Sequence, residues 1–100
     1  MLKVRIHEFA LNELNEATEW YDLQSNGLGA KFQLVTKSQV NKIASNPSWF
    51  LKEEVNIYKA YLPKFPYKIL FSFDEKEVVI WAISHMHRKP HYWQSRITIK

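Results

Sequence analysis

Three histidines near the C-terminus of the 100-residue chain are the first candidates for chemistry. His85, His87 and His91 lie within seven residues. His85 and His87 are two positions apart, so on a strand their side chains point the same way, and imidazole is a common zinc ligand. No carboxylate or cysteine lies close in sequence to complete a ligand set. A metal site therefore stays open as an alternative, and ordinary packing or solvation of the histidines is favoured.

Basic and aromatic side chains form a second candidate group. Tyr92 and Trp93 stand among Arg88, Lys89 and Arg96. Basic groups interleaved with aromatic rings bind phosphates and stack bases. The same residue types anchor protein interfaces, in which Tyr, Trp and Arg are enriched. A third interpretation is that Trp93 packs the last helix onto the sheet.

Lys68 is the third candidate. It lies in an alternating segment, on the face opposite Tyr67 and Ile69. Beside Lys59 and Arg88 of flanking strands, it would create a positive field on the sheet face away from the helices. Such cations stabilise the charge of a cleaved phosphodiester, and Tyr92 or a histidine would move a proton without a metal. A solvated sheet face is the alternative.

Composition excludes several classes of protein. The chain has no cysteine, so disulfides, thiolate metal sites and cysteine nucleophiles are absent. There is no phosphate-binding glycine loop, G-x-S-x-G elbow or acidic metal cluster, so we expect no cofactor and no metal. No apolar run reaches the ~18 residues of a membrane span, and no signal-peptide core is present. We expect a cytoplasmic location and no membrane partner.

The positive charge is concentrated in the second part of the chain. The formal net charge is +4, but residues 1–56 sum to −1 and residues 57–100 to +5. From His85 onward there is no acidic residue, and Lys100 ends the basic series. This distribution favours an anionic partner, either a nucleic acid or an acidic protein.

The first half of the chain predicts a strand and two helices. Residues 2–7 alternate, with Leu2, Val4 and Ile6 expected to point inward. A helical stripe then follows at Ala10, Leu14, Ala17 and Tyr21, which leaves Glu13, Glu16, Glu19 and Asp22 on the solvated side. Gly27 is expected to end this helix, and a second helix to run from about Leu28 to Asn46-Pro47.

The second half predicts three antiparallel strands and a short helix. The strands are 57–62, 67–73 and 78–85, with a polar turn at Asp74–Glu77. Pro90 suits the first turn of a C-terminal helix that continues to Arg96. The fold class is therefore α+β: one domain, 1–100, with the order β-α-α-β-β-β. A helical hairpin covers one face of an antiparallel sheet, which the first strand joins.

These segments together resemble the RelE/ParE superfamily of toxins from type II toxin–antitoxin systems. The resemblance covers nearly the whole chain. It is carried by the segment from Ala10 to Tyr21, by Phe65-Pro66-Tyr67-Lys68-Ile69, and most specifically by the series His-x-x-Arg-x-Pro-x-x-Trp from His85 to Trp93. That last segment is similar to the ParE side of the superfamily.

The resemblance implies one of two modes of poisoning. RelE-like members cut mRNA in the ribosome, and ParE-like members trap the cleaved DNA complex of DNA gyrase. In the first mode Lys68, Arg88 and Tyr92 match catalytic positions, the last displaced by two residues. The Lys-x-Lys pair of the nucleases reads Lys59-Ala60-Tyr61 here, and the missing lysine counts against cleavage. Further target- or phosphate-binding candidates close the set: Lys59, Lys64, His87 and Arg96.

The resemblance therefore implies a ParE-like toxin that inhibits growth through DNA gyrase and helps to stabilise plasmids. Its partner is a cognate antitoxin, which wraps the toxin with an acidic or amphipathic segment in a hetero-oligomer. The alternatives are a ribosome-dependent, metal-independent mRNA endonuclease, which would be an enzyme, and a basic binding module without toxicity.

Overall fold

The computed structural model describes residues 1–98. These residues form five strands, three α-helices and a 3₁₀ turn at Pro47–Trp49. The elements are β1 (Lys3–Ile6), α1 (Glu8–Gln24), α2 (Leu28–Ser45), β2 (Leu51–Glu54), β3 (Ile57–Tyr61), β4 (Tyr67–Phe73), β5 (Glu77–His85) and α3 (Gln94–Thr98). None of the described helices has the length and apolar character needed to cross a membrane.

The strands form one sheet in the order β1-β5-β4-β3-β2. β1 runs parallel to β5, and every other neighbouring pair is antiparallel. The predicted α+β fold, with the first strand joining the last three, is confirmed. β2 was not predicted, because three of its four residues are charged and carry no alternating apolar signal. Such short, charged strands are typical of sheet edges.

The two long helices pack on one face of the sheet through the predicted stripe. Ala10, Ala17 and Tyr21 of α1 are buried. At the junction Gly27 adopts a left-handed φ of 88°, and the Gly29 N–H donates to the Asp22 carboxylate at 2.7 Å. This contact satisfies one of the N–H groups that the start of α2 leaves without a helical partner.

The main core is rich in aromatic rings. Phe32 of α2 contacts Phe65 and Tyr67 at centroid distances of 5.1 Å each. Tyr21 contacts Phe65 edge-on at 5.0 Å. Burying one such side chain contributes about 1.5–3 kcal/mol. The rings therefore fix the helical hairpin over the start of β4, next to the loops that carry the candidate residues.

The opposite face of the sheet carries a second, smaller core. β4 buries residues on both faces, because Ile69 and Phe71 face the main core and Leu70 faces the second one. Leu70 packs with Ala82 and Ile57 against Trp93, which is only 1% exposed. The prediction that Trp93 packs the last helix onto the sheet is confirmed. The C-terminal segment, rather than solvent, covers this part of the sheet.

Two local predictions were wrong. Val4 and Ile6 are partly exposed, because β1 is an edge strand that the helical layer covers only in part. The C-terminal helix begins at Gln94 and not near Pro90. His91 has a φ of 63°, in the left-handed region, and this conformation interrupts any helix that starts at Pro90.

Candidate functional site

Most of the predicted site residues lie at one end of the sheet, where β4 begins and β5 ends. The loops that follow β3 and β5 meet there, since the Met86 N–H donates to the Pro66 carbonyl at 2.8 Å. We call this region the basic end; its exposed members are Lys64, His87, Arg88 and Lys89. Lys64 has a φ of 69°. This left-handed conformation is uncommon for a residue other than glycine.

The carboxylate of Glu13 on α1 contacts several side chains from the C-terminal segment. Arg96 donates to both of its oxygens, at 2.9 and 3.0 Å. The Tyr92 hydroxyl donates to it at 2.5 Å, and the Ile83 N–H at 3.0 Å. Arg88 approaches at 3.8 Å. We call these residues the Glu13 cluster. It corrects the prediction that Glu13 lies on the solvated side of α1.

Arg96 is a structural residue in this arrangement. Its side chain is 9% exposed, and Glu13 is 10% exposed. Besides the two bonds to Glu13, its guanidinium donates to the Trp81 carbonyl at 2.9 Å. A bidentate arginine–carboxylate pair is among the strongest polar contacts in proteins. Arg96 therefore ties α3 to α1 and β5, and little of its side chain is exposed.

Tyr92 is held in its protonated form. Burial raises the pKa of Tyr92 to about 12, and the hydrogen bond that its hydroxyl donates to Glu13 adds to the rise. The Arg88 guanidinium stacks over the ring at 3.9 Å from its centroid. A phenol with this pKa, bonded to a carboxylate, is a weak proton donor near neutral pH.

A second carboxylate, that of Glu53 on β2, pairs with the lysines of the sheet face. Lys68 Nζ lies 3.1 and 3.2 Å from its two oxygens. Lys59 Nζ lies 3.5 Å from one of them. We call these three residues the Glu53 cluster. The positive field predicted around Lys68 and Lys59 is therefore partly neutralised by a strand that the sequence pattern did not reveal.

The remaining cations of the basic end are accessible. Arg88 is 51% exposed in spite of its contact with Glu13. Lys64 and Lys89 make no salt bridge among the described residues. Lys100, the last residue of the predicted basic series, lies outside the described residues. The charge presented to a partner comes from loop residues more than from the strand residues first considered.

The three histidines do not converge. The His87 N–H donates to His85 Nδ1 at 3.1 Å, and the two rings lie 5.2 Å apart. His91 instead pairs with Glu54 at 3.3 Å. Among residues 1–98 no group of three or more histidine or acidic side chains is arranged to hold a metal ion.

Two clefts adjoin the basic end. A small one of about 180 Å³ is lined by Lys68, Arg88 and Tyr92 together with Glu53. The three candidate nuclease residues thus share one cleft. A larger one of about 510 Å³ lies between α1 and the sheet, and its walls include Trp20, Tyr67 and His85. Arg88 lies between the two and lines both.

Glu13 and Glu53 are the important site residues that sequence analysis missed. For Glu13 a signal existed: it is three residues after Ala10 and four before Ala17, so it flanks the buried stripe. A carboxylate at the margin of a buried face needs a partner, and Arg96 supplies it. No periodic pattern in the sequence could have identified Glu53, because its position depends on the pairing of β2 with β3.

Comparison with known proteins is informative at the level of the fold. The sequence matches no protein-family model and no curated protein at a significant level. The fold matches a chain from a solved structure described as "Chromosomal ParDE TA system from P. aeruginosa", with a TM-score of 0.76 and 16% sequence identity. The match covers 87% of this chain and 98% of that chain. At this level of identity the likeness establishes the fold.

The Glu13–Arg96 pair predicts a large effect on stability. Glu13→Gln removes the charge that compensates buried Arg96, and breaking a buried pair in this way costs about 3–5 kcal/mol. Urea denaturation measures the loss. Glu16→Gln, one turn further along α1 and exposed, is the matched control and should change the free energy of unfolding by less than ~0.5 kcal/mol. Equal effects of the two variants would contradict the assigned role.

The raised pKa of Tyr92 predicts a loss of stability in alkali. The unfolded phenol titrates near pH 10, and the folded one at about 12. Its contribution to stability is therefore complete below about pH 10 and is lost as the pH rises towards 12. Burial also raises the pKa of Tyr21 and Tyr67, so ultraviolet titration of tyrosinate should show a late component that Tyr92→Phe reduces by one phenol. If the amplitude of the late component is unchanged in Tyr92→Phe, the assignment is wrong.

Proposed function

We propose that this chain is the toxin of a type II toxin–antitoxin module, that it is ParE-like, and that it inhibits growth through DNA gyrase until a cognate antitoxin neutralises it. The observation that carries the proposal is the likeness of almost the entire fold to a chain of the ParDE system. The sequence series from His85 to Trp93 supports the proposal as well, because it is similar to the ParE side of the superfamily.

The chemistry of the basic end favours a binding surface over a nuclease centre. Each candidate catalytic group has a carboxylate partner: Lys68 at 3.1 Å from Glu53, and Tyr92 at 2.5 Å and Arg88 at 3.8 Å from Glu13. A phosphate at Lys68 or Arg88 would meet negative charge close by. A tyrosine with a pKa of about 12 also transfers protons poorly near neutral pH. These contacts support the gyrase mode.

A groove beside the free edge of β1 supports an antitoxin as partner. The groove has a volume of about 380 Å³ and lies between α1 and α2, with Ile6, Leu11, Leu14 and Val40 among its apolar walls. β1 is an edge strand, so its outer backbone groups are available for strand addition. Lys37 lines the groove and Lys3 lies on β1, whereas Arg5 of β1 is paired with Glu77 at 2.9 Å. The cations Lys3 and Lys37 suit an acidic segment. We place an extended, acidic and apolar antitoxin segment here.

The ribosome-dependent mRNA endonuclease is retained as a second candidate on one observation. Lys68, Arg88 and Tyr92 line the same small cleft, although they come from β4 and from the turn after β5. A cleft of this composition would hold one phosphate of an RNA chain if the Glu53 carboxylate moved away. A basic module without toxicity is the third candidate, and it is decided by the growth assay below.

Expression of the chain in a bacterial host tests the toxin proposal and separates the two targets. We expect arrested growth, induction of the DNA damage response, loss of supercoiling by purified gyrase and unchanged mRNA 5′ ends. Tyr92→Phe should leave growth arrest intact in the gyrase mode, since the hydroxyl does no chemistry there, whereas cleavage would fall by about 10²-fold or more. New 5′ ends in ribosome-bound mRNA would select the endonuclease, and unaffected growth would select the non-toxic module.

The antitoxin-binding groove predicts a contrast between two exposed leucines of α1. Leu11 lines the groove, whereas Leu23, near the far end of the helix, does not. Leu11→Asp should weaken the complex with the antitoxin encoded beside the toxin gene at least about tenfold, or ~1.4 kcal/mol. Leu23→Asp, which adds the same charge, should leave affinity within about twofold. Calorimetric titration measures both, and equal losses would place the antitoxin elsewhere.

A further inference from the structure

Three aromatic side chains, Trp20, Tyr21 and Tyr67, share the larger cleft between α1 and the sheet. We call it the α1 cleft. Its volume of about 510 Å³ lies within the ~300–1,000 Å³ of pockets that hold small ligands. Successive turns of α1 form one wall, and the start of β4 and the end of β5 form the other. The α1 cleft is therefore large enough for a ligand and has aromatic surface on both walls.

The three rings are set at steep angles to one another. The planes of Trp20 and Tyr21 meet at 82°, with their centroids 5.1 Å apart. Those of Tyr21 and Tyr67 meet at 62°, with their centroids 6.3 Å apart. The indole of Trp20 remains 56% exposed. Because the face of an aromatic ring is negative, rings arranged as the walls of a cavity attract organic cations.

The cations of residues 1–98 do not stack on these three rings. Arg88 and Arg96 both lie over Tyr92, at 3.9 and 5.1 Å from its centroid. The lysines that approach a ring do so at Tyr58 and Tyr61 on β3. The aromatic surface of the α1 cleft is therefore open to a cation from outside the chain.

Glu16 supplies a carboxylate beside the aromatic walls. It is exposed, lines the cleft, and lies four residues before Trp20 on the same face of α1. It makes no salt bridge among the described residues. Glu13 lines the cleft as well, but Arg96 compensates its charge. Arg88, on the opposite wall, is drawn towards Glu13. An incoming cation would therefore pair with Glu16.

We propose that the α1 cleft is a binding site for an organic cation, which stacks on Trp20 and Tyr67 and pairs with Glu16. The cation is a guanidinium or alkylammonium group on an aliphatic stem, because the cleft is larger than a bare ion and Pro66 and Ile83 add apolar surface to its walls. It comes either from a basic side chain of a polypeptide or from a free amine. Binding at this site is independent of the toxin's target.

The first test asks whether the positive charge of a ligand is recognised. The probe is a capped tripeptide with one arginine between two glycines, and its control has the uncharged isostere citrulline in place of arginine. In an NMR titration of the native protein at low salt, the arginine peptide should shift the Trp20 indole N–H and the Tyr67 amide. Leu23, which is exposed on α1 outside the cleft, should not shift.

We expect the citrulline peptide to bind at least about tenfold more weakly, since it forms neither the ion pair nor the cation–π contact. Equal affinities of the two peptides, or shifts that leave Trp20 and Tyr67 unaffected, would overturn the proposal. This comparison uses the native chain and does not depend on the folding of any variant.

Substitutions of exposed residues on α1 assign the two contacts. Glu16→Gln and Trp20→Leu should each lower the affinity for the arginine peptide at least about fivefold, and Trp20→Phe, which keeps a ring, should lose less than Trp20→Leu. Glu19→Gln is the matched control: Glu19 is exposed on the same helix but does not line the cleft. It changes the net charge identically and should bind within about twofold of the native chain. Equal losses for Glu16→Gln and Glu19→Gln would show a general charge effect and contradict the site.

Agmatine, a free guanidinium compound without a peptide backbone, distinguishes the two sources of the cation. If it displaces the arginine peptide at a similar or lower concentration, the site takes a free amine. If it competes at least about tenfold more weakly, the site takes a basic side chain of a polypeptide. Either result supports a cation site, whereas failure of both compounds to bind would refute it.

Discussion

The carboxylate of Glu13 joins the helical layer of this protein to its C-terminal segment. It accepts hydrogen bonds from Arg96, Tyr92 and the backbone of β5, and Arg96 is 83 positions away in sequence. A buried ion pair adds little net stability compared with apolar packing, but the loss of one partner is costly. The pair therefore acts mainly to specify where the last residues lie. Once they lie there, Trp93 closes the second core and Arg88 is held between the two clefts.

Acidic side chains of residues 1–56 neutralise part of the positive charge of residues 57–100. The surplus of +5 in residues 57–100 is not a uniformly basic face, because Glu13, Glu53 and Glu54 each contact side chains from that half. The cations that remain accessible are on loops, at Lys64, Arg88 and Lys89. The accessible positive charge of the basic end therefore lies on two loops, and the strand lysines are paired with Glu53.

The regular helices and strands were predictable because their buried residues recur at regular intervals in the sequence. The stripe through Ala10, Ala17 and Tyr21 and the alternation from Tyr67 to Phe73 place helices and strands in a way that the structure confirms. β2 was missed because an edge strand buries little and needs no apolar repeat. The register shift at Leu70 was missed as well, since an extra residue in one strand depends on the partner strand.

The amino-acid sequence alone specifies the α+β fold, the order of its main elements and the likeness of the His85–Trp93 series to the ParE side, because these depend on local periodicity and on the spacing of nearby residues. The resemblance also groups Lys68, Arg88 and Tyr92 as candidate catalytic positions, and the structure brings these three side chains to one cleft. Only the tertiary structure decides which charges are neutralised. Glu13 and Glu53 meet their partners through helix–sheet packing and the pairing of an edge strand, and electrostatic contacts between residues so distant in sequence leave no pattern along the chain.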